Sequence, residues 1–133
     1  MALTKRREIV SRKPGLVAHP VAATAVIHSG AIVVLNGDDF AQPGTAAAGL
    51  RSVGRAIESC DNSAGGNGDA RITVQRDLAQ RYDNDGVAPV TREHIGGSAY
   101  IVDDHTVSSD ATDRSAVGIV LDVDEDGVWI LFP

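Results

Sequence analysis

The stretch GIVLDVDEDGVWILF, residues 118–132, constrains the fold most strongly, because apolar side chains recur at every second position on both sides of a short acidic turn. A period of two places alternate side chains on one face of a β-strand. The pattern therefore predicts two antiparallel strands joined by a tight turn. It also predicts that Leu121 and Val123 share a face with Ile130 and Phe132.

The turn in this stretch allows two registers. Asp126 and Gly127 tolerate the positive φ that a two-residue type I′ loop requires. A four-residue loop from Asp124 to Gly127 would join the same two strands, so both registers remain open.

The same turn has the D-x-D-x-D-G spacing with which an EF-hand calcium loop begins. With Asp122 as the first ligand, Asp124 and Asp126 take the third and fifth positions, but the ninth and twelfth fall on Ile130 and Pro133. The bidentate glutamate that closes such a loop is therefore missing, and strands replace the flanking helices. A hairpin is the favoured interpretation, and cation binding by the crowded carboxylates is the alternative.

The composition predicts an all-β protein with a single domain. The 133 residues include 25 Val or Ile against 7 Leu, and 14 glycines punctuate the chain. β-branched residues favour strands, and regular turn signals are typical of a small barrel or sandwich. The expected fold is one β-barrel or β-sandwich domain of short antiparallel strands, with at most a short helical turn. Alternation alone cannot choose between barrel and sandwich.

Several shorter segments refine this expectation. Apolar runs at 24–27 and 31–35 and a segment near 52–58 are predicted strands. A further strand follows the glycine-rich loop CDNSAGGNGDA, and a single helical turn is predicted after Thr91 as N-cap and before Gly96. The strand after the loop is expected to bury Ala70, Ile72, Val74 and Leu78 on one face.

The N-terminal segment differs in charge from the rest of the chain. Residues 1–15 are predicted to form an extended basic arm, and residues 16–133 a β-rich body. The arm has a net charge of +4, whereas the rest carries 7 basic and 17 acidic side chains. Such an arm is either a solvated tail or an interaction tail that orders on an acidic partner. Its candidate partner-binding residues are Lys5, Arg6, Arg7, Arg12 and Lys13.

The remaining residues give little support for catalysis. Asp103, Asp104 and His105 form the most chemically suggestive triplet, but neighbours in a strand point to opposite faces, which would separate Asp104 from His105. Cys60 is the only cysteine, and the histidines show no HExxH pattern. We therefore expect no enzyme, no cofactor and no resident metal.

Membrane and nucleic-acid partners are also not expected. The chain has no long apolar run and no signal peptide, which predicts a soluble protein. The acidic body would repel phosphate, and four aromatic residues besides Trp129 are too few for a base-stacking platform.

Several segments resemble the small capsid decoration, or cement, proteins of tailed bacteriophages. The resemblance spans nearly the whole chain and includes GLRSVGRA at 49–56, DNS at 61–63, IGGSAY at 95–100, VDDHTV at 102–107 and the final hairpin. It implies a non-enzymatic structural protein of the virion, made in the host cytoplasm. It also implies that this protein decorates the outer surface of a phage head, commonly as a homotrimer, and clamps neighbouring major capsid subunits.

An alternative function comes from the acidic turns DNDG and DEDG. A β-rich module could use such loops to bind a cation or another small ligand. The sequence also allows both turns to be ordinary solvated loops.

Overall fold

The computed structural model describes residues 1–133 and confirms the all-β prediction. It contains no α-helix, and its single 3₁₀ turn spans Arg92–His94. No helix has the length and apolar character needed to cross a bilayer. The strands are β1 (Leu16–Pro20), β2 (Val26–Ile27), β3 (Ile32–Leu35), β4 (Ala41–Pro43), β5 (Arg51–Ala56), β6 (Cys60–Asp61), β7 (Arg71–Gln75), β8 (Gln80–Asn84), β9 (Ser98–Ile101), β10 (Thr106–Ser108), β11 (Ala116–Asp124) and β12 (Gly127–Leu131).

The first half of the chain forms a five-stranded antiparallel sheet in the order β1-β7-β5-β3-β4. An isolated bridge between Val21, just after β1, and Ala41 on β4 brings the two edge strands together. The sheet therefore curls almost to closure, as the right-handed twist of strands favours. It encloses a core of eight buried residues that includes Ile27, Ile72 and Val74.

The second half of the chain forms a closed barrel in the order β10-β8-β12-β11-β9. Four of its pairs are antiparallel, and β8 and β10 pair in parallel. Its core of twelve buried residues includes Tyr82 and Phe132, whose rings meet edge to face with centroids 6.1 Å apart. Of the two architectures left open by the sequence, the barrel is therefore present, with a curled sheet beside it.

Strand β3 joins the two cores. Its residues Ile32, Val33 and Val34 are all fully buried. Because successive side chains point to opposite faces, Ile32 and Val34 enter the barrel core, and Val33 enters the core of the first sheet. The uninterrupted apolar run AIVVL is the sequence signature of a strand that is covered on both faces.

The predicted C-terminal hairpin is confirmed in its four-residue register. Val123 pairs with Val128, as the four-residue loop implies, but Asp124 also pairs with Gly127, so the loop itself is shorter and consists of Glu125 and Asp126. The predicted loop at Asp126-Gly127 is wrong. Gly127 has φ +150°, a conformation that L side chains rarely adopt.

The prediction that Leu121 shares a face with the buried Ile130 and Phe132 is also wrong. The pairing of β11 with β12 shifts between Val120 and Asp122, which makes Leu121 the extra residue of a β-bulge. The bulge reverses the alternation, so Val120 is buried and Leu121 is 48% exposed.

Some of the other predicted elements are confirmed and others are wrong. Ile72 and Val74 are buried on β7, but Leu78 is 53% exposed, because the strand ends at Gln75 before Leu78 can continue the alternation. The helical turn with Thr91 as N-cap is confirmed. Of the three earlier predicted strands, 31–35 and 52–58 correspond to β3 and β5, whereas 24–27 contains only the two-residue β2.

Core position should determine the cost of removing a methylene group from this fold. We expect Ile32→Val to lower the free energy of unfolding by about 0.5–1.5 kcal/mol, because Ile32 is fully buried in the barrel core. The same change at Ile119, which lies 42% exposed on β11, should alter it by less than about 0.5 kcal/mol. Urea denaturation of both variants would measure the difference, and equal losses would contradict the assigned burial.

The shared strand should also make the two cores unfold together. Ile72 belongs to the first core, and Trp129, the only tryptophan, lies on β12 of the barrel. We expect Ile72→Val to shift the Trp129 fluorescence transition to lower urea by the same amount as the circular dichroism transition. A tryptophan transition that stays at the wild-type midpoint would mean that the barrel unfolds independently.

Candidate functional site

The predicted N-terminal arm has no intramolecular partner for its charges. Residues 1–14 are exposed and contain no strand. The ion pairs of the protein all lie within residues 39–122, so none involves the arm. Leu3, Ile9 and Val10 are also 74%, 92% and 82% exposed. The arm therefore combines unpaired positive charge with apolar side chains that contact little of the body. The predicted partner-binding residues on the arm are Lys5, Arg6, Arg7, Arg12 and Lys13.

The root of the arm is fixed to the body. Gly15 is buried, and its carbonyl accepts a hydrogen bond of 2.9 Å from the backbone N–H of Arg76. This bond extends the pairing of β1 with β7 by one step. A Cβ at Gly15 would overlap the carboxylate of Asp77, so a larger residue there would force the exposed Asp77 side chain to move aside. The arm therefore leaves the body at a defined point beside Arg76.

A groove of about 290 Å³ lies next to this point, at one end of the curled first sheet. His19, Arg51 and Arg76 contribute to its lining, and no acidic residue does. Arg51 forms an exposed ion pair with Asp39, and the Arg76 guanidinium donates a hydrogen bond to the carbonyl of Pro133.

Two further features give the groove its chemical character. Burial lowers the pKa of His19, and the positive charges of Arg71 and Arg76 lower that pKa further, which favours the neutral imidazole. The hydroxyl oxygen of Ser52 is buried at the lining without a hydrogen-bond partner. Val17, Leu35, Val53 and Pro133 add an apolar floor.

The Asp103, Asp104 and His105 triplet is closer than the sequence indicated. His105 Nδ1 lies 2.9 Å from Asp104 Oδ1 and 3.1 Å from Asp103 Oδ1. The prediction that Asp104 and His105 are separated is wrong, because residues 102–105 form a bend between β9 and β10 and not a strand. The hydrogen bond to Asp104 is the main reason that the pKa of His105 is raised, opposed in part by desolvation.

This triplet borders a shallow concavity of about 330 Å³, which His28 also lines. The potential ligand atoms of Asp103, Asp104 and His105 lie within 4.8 Å of one another. Nevertheless, His105 Nδ1 already engages both carboxylates, which accounts for the geometry as an ion-paired surface histidine.

The carboxylate of Asp124 is committed to the hairpin turn. Its Oδ1 accepts hydrogen bonds from the backbone N–H groups of Asp126 at 2.8 Å and Gly127 at 3.1 Å. Its Oδ2 accepts the indole N–H of Trp129 at 3.0 Å. These bonds, with the Trp129 contribution first, lower the pKa of Asp124.

The DNDG turn is organised in the same manner. Asp85 accepts hydrogen bonds from the backbone N–H groups of Val87 at 3.1 Å and Ala88 at 3.3 Å. The amide group of Asn84 both donates to and accepts from the backbone of Val90, at 2.8 Å each. In both acidic turns, carboxylate oxygens thus serve as turn caps, which is the usual role of Asp and Asn in such loops.

Cys60 has the environment of an unreactive thiol. Partial burial raises its pKa, and the nearby negative charges of Glu58 and Asp61 raise it further. A thiolate, the reactive form, is therefore disfavoured at neutral pH.

No family model, curated protein or solved structure matches this chain. The groove was missed at the sequence level, because its lining comes from β1, β3, β5, the residue after β7 and the C-terminus. No local spacing connects these positions.

The hydrogen bond between Trp129 and Asp124 gives a pH prediction. A lowered pKa means that Asp124 stabilises the fold above its unfolded value of about 3.8 and that this contribution is lost as pH falls through the lower folded pKa. We expect the indole N–H resonance of Trp129 to shift with a midpoint below pH 3.8. Asp124→Asn, which keeps an acceptor oxygen but cannot titrate, should abolish that shift. A midpoint at or above the ordinary value would contradict the assigned contacts.

Proposed function

We propose that this protein is a non-enzymatic structural protein of a virion that decorates the outer surface of a phage head. In this role it stabilises the head by clamping neighbouring major capsid subunits. The arm attaches to the shell, and the β-rich body remains outside as a rigid module. The resemblance of the framework segments to phage decoration proteins agrees with this proposal.

The observation that carries the proposal is the exposed basic arm on a rigid support. Five cationic side chains without an ion-pair partner, interspersed with exposed apolar residues, provide binding capacity that the chain itself does not use. The fixed hydrogen bond at Gly15 determines where the arm begins. Thirteen extended residues can reach roughly 40 Å at about 3.3 Å each, which is enough to cross a subunit boundary. An arm of this kind can order by adding a strand to a neighbouring sheet.

Association between copies of the chain belongs to the same proposal. Ile119 and Leu131 are directly paired across β11 and β12 and are 42% and 40% exposed. Leu121 on the same strand is exposed as well, so the outer barrel face carries a small apolar patch. We propose that copies assemble as a homotrimer on the shell and that this patch contributes to their contact.

The alternative of a cation-binding module receives less support from the geometry. Asp124 and Asp85, the central carboxylates of the two acidic turns, already accept hydrogen bonds from backbone amides of their own turns. A cation would compete with those bonds for the same oxygens. The decoration role instead uses the cationic side chains of the arm, which have no ion-pair partner in the chain.

Neutralising the arm should weaken attachment to the shell. We expect a variant with Lys5, Arg6, Arg7, Arg12 and Lys13 all changed to Gln to co-sediment with empty expanded phage heads at least tenfold less than wild type. Each lost contact removes an attraction to acidic surface that salt screens. A variant with the same arm residues in scrambled order is the matched control. Retained binding by the scrambled arm would assign attachment to charge alone, and its loss would indicate sequence-specific docking.

Amine chemistry provides an independent measurement of the same contact. Lys5 and Lys13 are the only lysines, so the N-terminal amine and these two side chains are the only amines of the chain. An amine-to-amine cross-linker added to decorated heads can therefore join this protein to a capsid subunit only through the arm. Unchanged occupancy of the neutralised variant, or the absence of such cross-links from heads that carry the protein, would contradict the proposal.

A further inference from the structure

Charge is distributed unevenly between the two halves of the body. Residues 16–79, which form the first sheet, carry four arginines against six acids, whereas residues 80–133 carry three arginines against eleven acids. The arm adds a net charge of +4 at the first-sheet end. The molecule thus has a cationic side, formed by the arm and the groove, and an acidic side, formed by the barrel.

The groove and the arm belong to one continuous surface. Arg76 lines the groove, and its backbone N–H holds Gly15, from which the arm departs. A polypeptide held by the arm would therefore pass directly beside the groove.

We infer that this groove binds an extended acidic segment of the partner protein, with its carboxylates on Arg51 and Arg76. The groove presents Arg51 and Arg76 around an apolar floor, and no acidic side chain lines it. A bound carboxylate would replace Asp39 on Arg51 and the Pro133 carbonyl on Arg76, which are the partners of these two guanidinium groups in the free protein. The acidic barrel then faces away from the partner, because like charges repel.

The inference rests on the proposed function and names the chemistry of the partner surface. It predicts that orientation on the shell is fixed by two contacts, the flexible arm and the preformed groove. A preformed site loses less conformational entropy on binding than an arm that must order, so the two contacts complement each other.

Backbone NMR of the full chain with a capped hexaglutamate peptide tests the inference. We expect saturable shifts of the amide resonances of Val17, Ser52 and Val53, and a raised pKa of His19, because a carboxylate nearby favours the imidazolium form. Arg51→Gln should lower the affinity for the hexaglutamate peptide at least fivefold. A capped hexaglutamine peptide and inorganic phosphate at the same concentration should produce no saturable shift at these residues.

Arg92→Gln is the matched control for charge. Arg51 and Arg92 are both exposed and each pairs with one aspartate, Asp39 and Asp122 respectively. Both substitutions remove one positive charge, so a purely long-range electrostatic effect would lower the affinity for the peptide equally in the two variants. We expect Arg92→Gln to stay within twofold of wild type. Arg76→Gln should repeat the loss seen for Arg51→Gln, provided that its amide spectrum retains the wild-type dispersion.

Several results would overturn the inference. The first is an equal loss of affinity for hexaglutamate in Arg51→Gln and Arg92→Gln. The second is hexaglutamine binding as tight as that of hexaglutamate, and the third is saturable binding of phosphate in the groove. The inference and the proposed function can fail separately. Arm-dependent binding to heads without peptide shifts at the groove would remove only the inference. Peptide bound in the groove of a protein that never attaches to heads would remove the decoration role.

Discussion

Strand β3 is packed on both faces, and the two halves of the molecule depend on it. Ile32 and Val34 complete the barrel core, and Val33 completes the core of the curled sheet. Burying each such side chain contributes about 1.5–3 kcal/mol, divided between two cores that would otherwise be small. The position of the groove depends on the same strand, because Leu35 at its end forms part of the floor.

The sequence predicted the positions of the strands better than it predicted which of their side chains face the core. Alternation identified β7 through Ile72 and Val74, which are two residues apart. It identified the final hairpin through Ile130 and Phe132 in the same way. It failed at Leu121, where a bulge inserts one residue into β11. Bulges depend on how a strand bends to close a barrel, which is a tertiary requirement. Strand β5 also contains an irregularity that alternation does not predict. Its pairing with β3 shifts at Gly54, which has φ +142°.

The proposed binding surface was only partly predictable for a related reason. The arm is local in sequence, so Lys5, Arg6 and Arg7 could be identified from charge alone. The groove is not local, because Arg51 and Arg76 come from separate segments that only the folded sheet brings together. The contact between Asp104 and His105 could not be predicted from alternation, because residues 102–105 form a bend and not a strand.

The unequal distribution of charge has a consequence for assembly. A protein whose net charge is negative would be repelled by an acidic surface if its charges were spread evenly. Here the arm and the groove concentrate positive charge at one end, whereas eleven of the eighteen acids lie in the barrel half. Approach to an acidic surface is therefore favourable in only one orientation, with the arm leading. In the proposed homotrimer, repulsion between barrel halves would limit how closely the copies pack, so the uncharged patch formed by Ile119, Leu121 and Leu131 is the part of the barrel best suited to that contact.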